Sequence, residues 1–360
     1  MTGITPQPGI MDIALYQGGA SSLAGRRDVL KLSANENPLG PPPAALAAMH
    51  EASKAAHLYP STDHAGLREA IGAVWGLDPA RIICGVGSDE VLQFVTQAFA
   101  GPGDEIIHTE HGFSLYPILA RMAGAHPVCV PESNRVVDVD AILAALTERT
   151  RIVLLTNPGN PTGTKIDDHA LHHLADGLPE NVLLVIDGAY TEYVGGYDGG
   201  AALATARSNV VMTRTFSKIF GLGGLRIGWG YGDRFLIDVM TRIRQPFNLS
   251  VVQLAAAEAA VRDTAWVARC SELNRDQRAR LTGALRQLGI ACDDSHTNFV
   301  LARFSDAHEA SVAEQALNAD GIIVRGVAGY GFPEGLRITV GDEAQTGRVI
   351  AALTAWKEAA

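Results

Sequence analysis

The chain has 360 residues, 47% of them hydrophobic and 19% charged, which suits a soluble globular protein with one large core and a smaller partner. Its 39 acidic against 29 basic side chains give a formal charge of -10, which disfavours non-specific attraction to nucleic acid or anionic membranes. No apolar run approaches the roughly 18 residues of a membrane span, and the opening MTGITPQPGIMDIALYQGG lacks the charged start and apolar core of a secretion signal, so the expected compartment is the cytoplasm.

Residues 1–30 carry Pro6 and Pro8 and read as an N-terminal arm. From about Leu58 to Trp229, within a large domain expected over 31–245, short apolar runs alternate with amphipathic stretches. Candidate strands are RIICGV (81–86), DEIIHT (104–109), HPVCVP (126–131), RIVLLT (151–156), VLLVID (182–187), NVVMTRT (209–215) and LRIGWGY (225–231). Helical patterns lie between most of them, among them SDEVLQFVTQAFA, DVDAILAALTERT and DDHALHHLADGL, each opened by Ser or Asp at a capping position. The alternation predicts an α/β fold around a mainly parallel sheet covered on both faces, with ligands beyond the carboxyl ends of its strands. Past residue 245, two long helical patterns and the strands TNFVLARF, IIVRGV and LRITVG predict a smaller α+β domain over 246–360.

The cysteines, Cys84, Cys129, Cys270 and Cys292, are far apart and make no metal-binding spacing, so free thiols are expected. His169, His172 and His173 share a helix face in HALHHL, but no carboxylate or cysteine pattern completes a metal site, and a solvated face is the plain reading. GVGSDE (85–90) has Glu90 where a dinucleotide fingerprint needs glycine, and GLGGLR (221–226) leads into a strand, so neither is a nucleotide loop. GVGSDE still opens a helix, whose first amides favour an anion, although alone it reads as a capped helix after a tight turn.

Three further stretches bear on chemistry. NPGNPTG (157–163) is a rigid loop presenting Asn160, and serves equally as structure or as a ligand donor. VLLVIDGAY ends a buried-type strand on Asp187, with Tyr190 three residues on; the carboxylate needs a cation or donors, as a helix cap or as the partner of a protonated ring nitrogen. TRTFSKIFGLGGLRIGW (213–229) holds Lys218, one of only five lysines against 24 arginines. A fixed charge is served as well by Arg; a removable proton is not. Thr215, Ser217 and Arg226 with the GVGSDE amides make a phosphate site, which frees Lys218 to attack a carbonyl as the neutral amine, its pKa lowered by a neighbouring cation. A phosphate, an aldehyde-bearing ring and an Asp for the ring nitrogen specify pyridoxal 5'-phosphate.

NPTG (160–163), DGAY (187–190), TFSKIFGLGGLRIGW (215–229) and LRITVG (336–341), in that order, resemble the fold type I pyridoxal-phosphate aminotransferases over nearly the whole chain. LSANENPLGP near the start, YP at 59–60 and IIVRG at 322–326 narrow the resemblance to the histidinol-phosphate aminotransferases. The resemblance implies that Lys218 carries the cofactor and moves the proton, that Asp187 pairs with the pyridine nitrogen, and that Asn160 and Tyr190 donate to the ring oxygen. It implies that Ser88, Asp89, Thr215, Ser217 and Arg226 hold the phosphate, that Phe113 stacks on the ring, and that Tyr59 reaches the cofactor of a second subunit, hence a homodimer. Arg337 is implied to bind the carboxylate of glutamate, and Arg325, with Tyr16 and Asn35, to meet the substrate phosphate or an alternative carboxylate. The implied reaction moves an amino group from L-histidinol phosphate to 2-oxoglutarate in histidine biosynthesis. An aromatic-amino-acid aminotransferase or a threonine-phosphate decarboxylase would keep Lys218, Asp187 and Arg226. A cofactor-binding transcriptional regulator would need an added basic DNA-binding module. Gly188 departs from the usual pattern, as do Phe113 where many relatives have Tyr, and Gly159 in place of an Asn.

Overall fold

The computed structural model describes residues 3–15, 18–20 and 22–359. Its main sheet has seven strands: β1 (Ile82–Gly85), β2 (Glu105–Thr109), β3 (His126–Val130), β4 (Thr150–Thr156), β5 (Leu183–Asp187), β6 (Val210–Thr215) and β7 (Gly228–Gly232). They lie in the order β1-β7-β6-β5-β4-β2-β3, parallel except that β7 runs antiparallel to both of its neighbours. The central strands are buried on both faces, which is why they read as unbroken Val, Ile and Leu runs rather than as alternation.

The helices start where the sequence places their caps. Asp138 accepts from the Ala141 amide and Asp167 from the Ala170 amide, and Ser250 with Gln253 forms a full capping box. The helix expected over DVDAILAALTERT ends at Ala144, because Thr147 and Thr150 close the remainder into a hydrogen-bonded turn before β4. The strand expected from Leu225 starts at Gly228, since Gly223–Leu225 form a single 3-10 turn and Arg226 takes a left-handed φ of 54°.

A second sheet of β8 (Phe299–Arg303), β9 (Arg325–Val327) and β10 (Phe332–Thr339) is antiparallel in the order β8-β10-β9. The run IIVRGV, expected as one strand, divides at Val324: Ile322–Ile323 pair in parallel with Leu30–Lys31, while β9 pairs with β10. This sheet has its own core, including Leu285, Val300, Ala313, Leu317, Ile338 and Val349.

Register sets the functional end of the main sheet. Thr156 of β4 lies opposite Asp187 of β5, which lies opposite Thr213 of β6. Gly228 of β7 lies between Gly85 and Thr215, and a Cβ there would fall 2.1 Å from the Ser88 amide nitrogen. Only glycine lets β7 pass that closely beneath the helix Gly87–Phe99.

Candidate active site

A cavity of about 230 Å³ opens where the carboxyl ends of β4, β5 and β6 face β9 and β10. Asp187 lies at its inner wall, 3% exposed. Tyr116 Oη donates to its Oδ2 at 3.0 Å and Thr213 Oγ1 to its Oδ1 at 3.3 Å, while the Thr156 hydroxyl pairs with that of Tyr116. Burial outweighs these neutral donors and lifts the carboxyl from 3.8 to about 6, with the charge of Asp89 adding to the rise. Among the described residues this buried carboxylate is served by neutral donors, which matches it to a ligand bearing a proton on nitrogen.

Lys218 Nζ reaches the Ala34 carbonyl at 3.4 Å and sits 5.8 Å from the Tyr190 ring centre. Its flanking Phe216, Ile219 and Phe220 are buried, so the backbone is anchored while the amine faces the cavity. Burial lowers its pKa from 10.5 to about 8; Arg337 adds most among the charges, and Arg226 a smaller part. Arg226 was the cation expected to do this from the sequence. Arg337 takes the larger share because β10 brings it into the same cavity wall.

The residues expected to hold a phosphate also converge. The helix Gly87–Phe99 opens with Gly87 at φ 79°, aiming the Ser88 and Asp89 end of the helix at the cavity. Arg226 Nη1 donates to Ser217 Oγ at 3.0 Å and Nη2 to Asp89 Oδ2 at 3.0 Å, and Thr215 Oγ1 accepts from the Ser217 amide at 3.1 Å. The turn needs more than glycine freedom within GLGG: at Gly221, φ 66°, a Cβ would fall 2.2 Å from the Gly40 carbonyl oxygen. Here the chain is pinned against the LSANENPLGP segment.

On the opposite wall, Arg337 Nη1 donates to Asn160 Oδ1 at 2.5 Å and Nη2 to the Ser33 carbonyl at 3.0 Å. Asn35, at a left-handed φ of 56°, donates through Nδ2 to Tyr190 Oη at 2.9 Å. With Asn160 Oδ1 and the Tyr190 lone pair so occupied, the Asn160 amide N–H and the Tyr190 hydroxyl proton remain to donate into the cavity. Burial pushes the Tyr190 phenol above the usual range, so that proton is retained. Arg325 and Arg337 stand directly opposite each other in the β9–β10 register, and both line the cavity.

The aminotransferase class I and II family matches residues 27–353. The chain is 66% identical to the histidinol-phosphate aminotransferase of Ruegeria pomeroyi over 100% of its own length and 99% of the relative's, and 60% identical to that of Jannaschia sp. over 98% of each. Among solved structures it resembles histidinol-phosphate aminotransferase from Sinorhizobium meliloti in complex with pyridoxal-5'-phosphate, with a TM-score of 0.90 at 27% identity, covering 100% of this chain and 98% of that one. The chain belongs to the histidinol-phosphate aminotransferase family. It is an aminotransferase of fold type I and a pyridoxal 5'-phosphate enzyme.

In this aminotransferase, the cavity gathers Ser88, Asp89, Phe113, Asn160, Asp187, Tyr190, Thr215, Ser217, Lys218, Arg226, Asn35, Arg325 and Arg337 from the residues singled out in the sequence. The donors fit the cofactor: cations and amides for its phosphate, a buried carboxylate for its ring nitrogen, N–H and O–H for its ring oxygen, and a depressed lysine for its aldehyde. Tyr59 is not in this cavity; it is 82% exposed, with its ring 4.6 Å from that of Phe247. Tyr16 lies outside the described residues. At Gly188, noted as a departure, a Cβ would lie 2.5 Å from Thr191 Oγ1 and 3.1 Å from the Thr213 carbonyl, so a side chain there requires Thr191 to move.

The sequence reading missed Tyr116, Thr156 and Thr213, which surround Asp187. The usable signal was strand register, since Thr156, which ends β4, and Thr213, within β6, are the residues paired with Asp187 on either side. Tyr116→Phe removes one donor from the Asp187 carboxylate while keeping the ring. Hydrogen bonds to charged groups contribute about 1.5–3 kcal/mol, so the variant is expected to bind pyridoxal phosphate about 10-fold more weakly or worse at pH 8. Equilibrium titration of apo-protein by absorbance measures this, and unchanged affinity would show that the bond does not support the cofactor.

Proposed function

We propose that this chain catalyses reversible transfer of an amino group from L-histidinol phosphate to 2-oxoglutarate, giving imidazole-acetol phosphate and L-glutamate, a step of histidine biosynthesis. The observation that carries the reading is the facing pair Arg325 and Arg337 on the cavity wall. Two guanidinium groups side by side suit a dianion: the phosphate of one substrate, and in the other half-reaction a carboxylate of 2-oxoglutarate. The names and identities of the relatives support the same choice.

Bound in this cavity, pyridoxal phosphate supplies an aldehyde to accept the amino group and a protonated ring that withdraws electrons from the reacting carbon. The protein residues act around it. Ser88, Asp89, Thr215, Ser217 and Arg226 hold the phosphate through amides, hydroxyls and guanidinium. Asp187 keeps the proton on the ring nitrogen, and Asn160 and Tyr190 donate to the ring oxygen. Phe113 covers one face. Lys218 would hold the cofactor through its aldehyde and, as the free amine, would be the base that accepts the substrate Cα proton and the acid that gives it back. Asn35 orients Tyr190 by the hydrogen bond between them.

Half-reactions with histidinol phosphate, phenylalanine, tyrosine and phosphothreonine, ranked by kcat/KM, test the substrate. Histidinol phosphate is expected to lead by at least about 10-fold. Faster reaction of an aromatic amino acid, or release of carbon dioxide from phosphothreonine, would overturn the reading.

The working unit is a cytoplasmic homodimer whose chain divides into an arm (1–30), a large cofactor-binding domain (31–245) and a small domain (246–360). Among the described residues, no helix is long and apolar enough to cross a membrane. The exposed Leu58, Tyr59, Ile243 and Phe247 support a second copy as partner, and Arg244 ties their two segments together through the Thr62 carbonyl at 2.5 Å. Within the dimer, Tyr59 reaches the cofactor phosphate of the other subunit. Mixing an inactive Lys218→Ala chain with a weakened Tyr59→Ala chain should then restore activity in the hybrid, whose one intact site has both residues. Absence of recovery after verified subunit exchange would remove the shared-site assignment.

A further inference from the structure

The roles above leave one aromatic wall of the cavity unused. Tyr330 lines it beside Arg325 and Phe113, 8% exposed, on the 3-10 turn Ala328–Tyr330 between β9 and β10. That turn is stitched to the loop after β2. Ser114 Oγ lies 3.1 Å from Tyr330 Oη, His111 Nδ1 lies 2.7 Å from the Tyr330 carbonyl oxygen, and the His111 ring stacks on Phe332 with centres 4.1 Å apart. Gly331, at φ 85°, sits beneath the imidazole, where a Cβ would fall 3.2 Å from His111 Cε1. The two loops come from different sheets, so these contacts fix the Tyr330 ring relative to Phe113 and Lys218 across the cavity.

We propose that Tyr330 is a specificity-determining residue that hydrogen-bonds the imidazole end of the substrate, with Ser114 and His111 holding it in position. The assignment rests on the histidinol phosphate reading and proceeds by exclusion. The substrate amine goes to the cofactor beside Lys218, and its phosphate to Arg325 and Arg337. Phe113 and Tyr190 serve the cofactor ring. Among the described residues, Tyr330 is the remaining aromatic side chain of the wall, and it carries a hydroxyl. A phenolic hydroxyl both donates and accepts, so with Ser114 taking one role the other is open to an imidazole nitrogen. A phenyl ring of similar size offers no such partner. Because Ser114 still pairs the hydroxyl when a phenyl ring is bound, the penalty is smaller than for an orphaned polar group, and discrimination on the order of 10-fold is expected.

The test compares L-histidinol phosphate with L-phenylalaninol phosphate, which differs only in its ring, in half-reactions of the wild-type holoenzyme, Tyr330→Phe and Ser114→Ala. Tyr330→Phe loses one oxygen and keeps the ring and the carbonyl that His111 contacts. The wild type should favour the imidazole substrate by about 10-fold or more in kcat/KM. Tyr330→Phe should cut that ratio about 10-fold, mainly through KM for histidinol phosphate, and Ser114→Ala should cut it by a smaller factor. An unchanged ratio in Tyr330→Phe, or equal losses on both substrates, overturns the proposal while leaving the histidinol phosphate reading intact. A wild type that shows no preference between the two overturns it as well, and a wild type that turns over neither takes the substrate reading down with it.

Discussion

Lys218→Arg is expected to abolish transamination, by about 10⁴-fold or more, with the fold unchanged by circular dichroism. Arginine keeps the positive charge but has no accessible neutral form, so it can neither bond to the cofactor aldehyde nor accept the substrate Cα proton. The native amine is held down to about 8, first by burial and then by Arg337. Below that pH it is protonated and unreactive; above it the neutral form dominates. The rate at which apo-protein captures pyridoxal phosphate should therefore rise with pH up to about 8 and level off beyond it. Arg337→Gln removes the largest charge effect, so the amine pKa rises and the same profile moves to higher pH. Borohydride reduction should fix the cofactor on the peptide that contains Lys218. Label on another lysine, or a capture rate independent of pH, would contradict the assignment.

What could be read from the sequence was what is local along the chain. β5 and β6 announce themselves as apolar runs, and each runs directly into a polar residue of the site, Asp187 in one case and Thr215 in the other. The scarcity of lysine marked Lys218, and glycine density marked the turn after it. Residues that matter through register or through another sheet gave no such mark. Thr156 looks like any strand-ending threonine until its pairing opposite Asp187 is known. Arg337 was singled out for a substrate carboxylate through LRITVG, but nothing in that strand pattern shows that the β10 placement makes it the principal charge acting on Lys218. Tyr330 sits in a glycine-flanked turn that reads as a plain hairpin connection, and its contacts with His111 and Ser114 join segments far apart in the chain. Arg226 was legible as a candidate for holding a phosphate, whereas its left-handed backbone was not, because a positive φ is unusual in a long-chain residue and glycines nearby invite the turn to be placed on them.

Asp187→Asn should lose activity by about 10³-fold or more and yet yield a more stable apo-protein, because among the described residues the buried carboxylate has neutral donors and no paired cation. Its donors are Tyr116, Thr213 and the Ala189 amide, all neutral, and burial raises its pKa from 3.8 to about 6. Between those values the folded chain keeps a proton that the unfolded chain has lost, so this group's contribution to stability falls as pH rises through that window. Above about pH 6 the apo-protein carries the full cost, about 3 kcal/mol at 1.36 kcal/mol per pH unit. Asparagine removes the charge, and its amide oxygen can still accept from Thr213. At pH 7.5 the apo variant should therefore melt a few degrees above the apo wild type, with the gap closing towards pH 4. Saturating pyridoxal phosphate should reverse the order, since the protonated ring nitrogen supplies the missing cation to Asp187 and the wild type gains more from binding. Paired melting curves with and without the cofactor, at both pH values, measure all four states. If the variant melts lower than the wild type in the apo form at pH 7.5, the buried charge is not an unpaid cost of the empty pocket, and Asp187 is held by the fold rather than reserved for the ring.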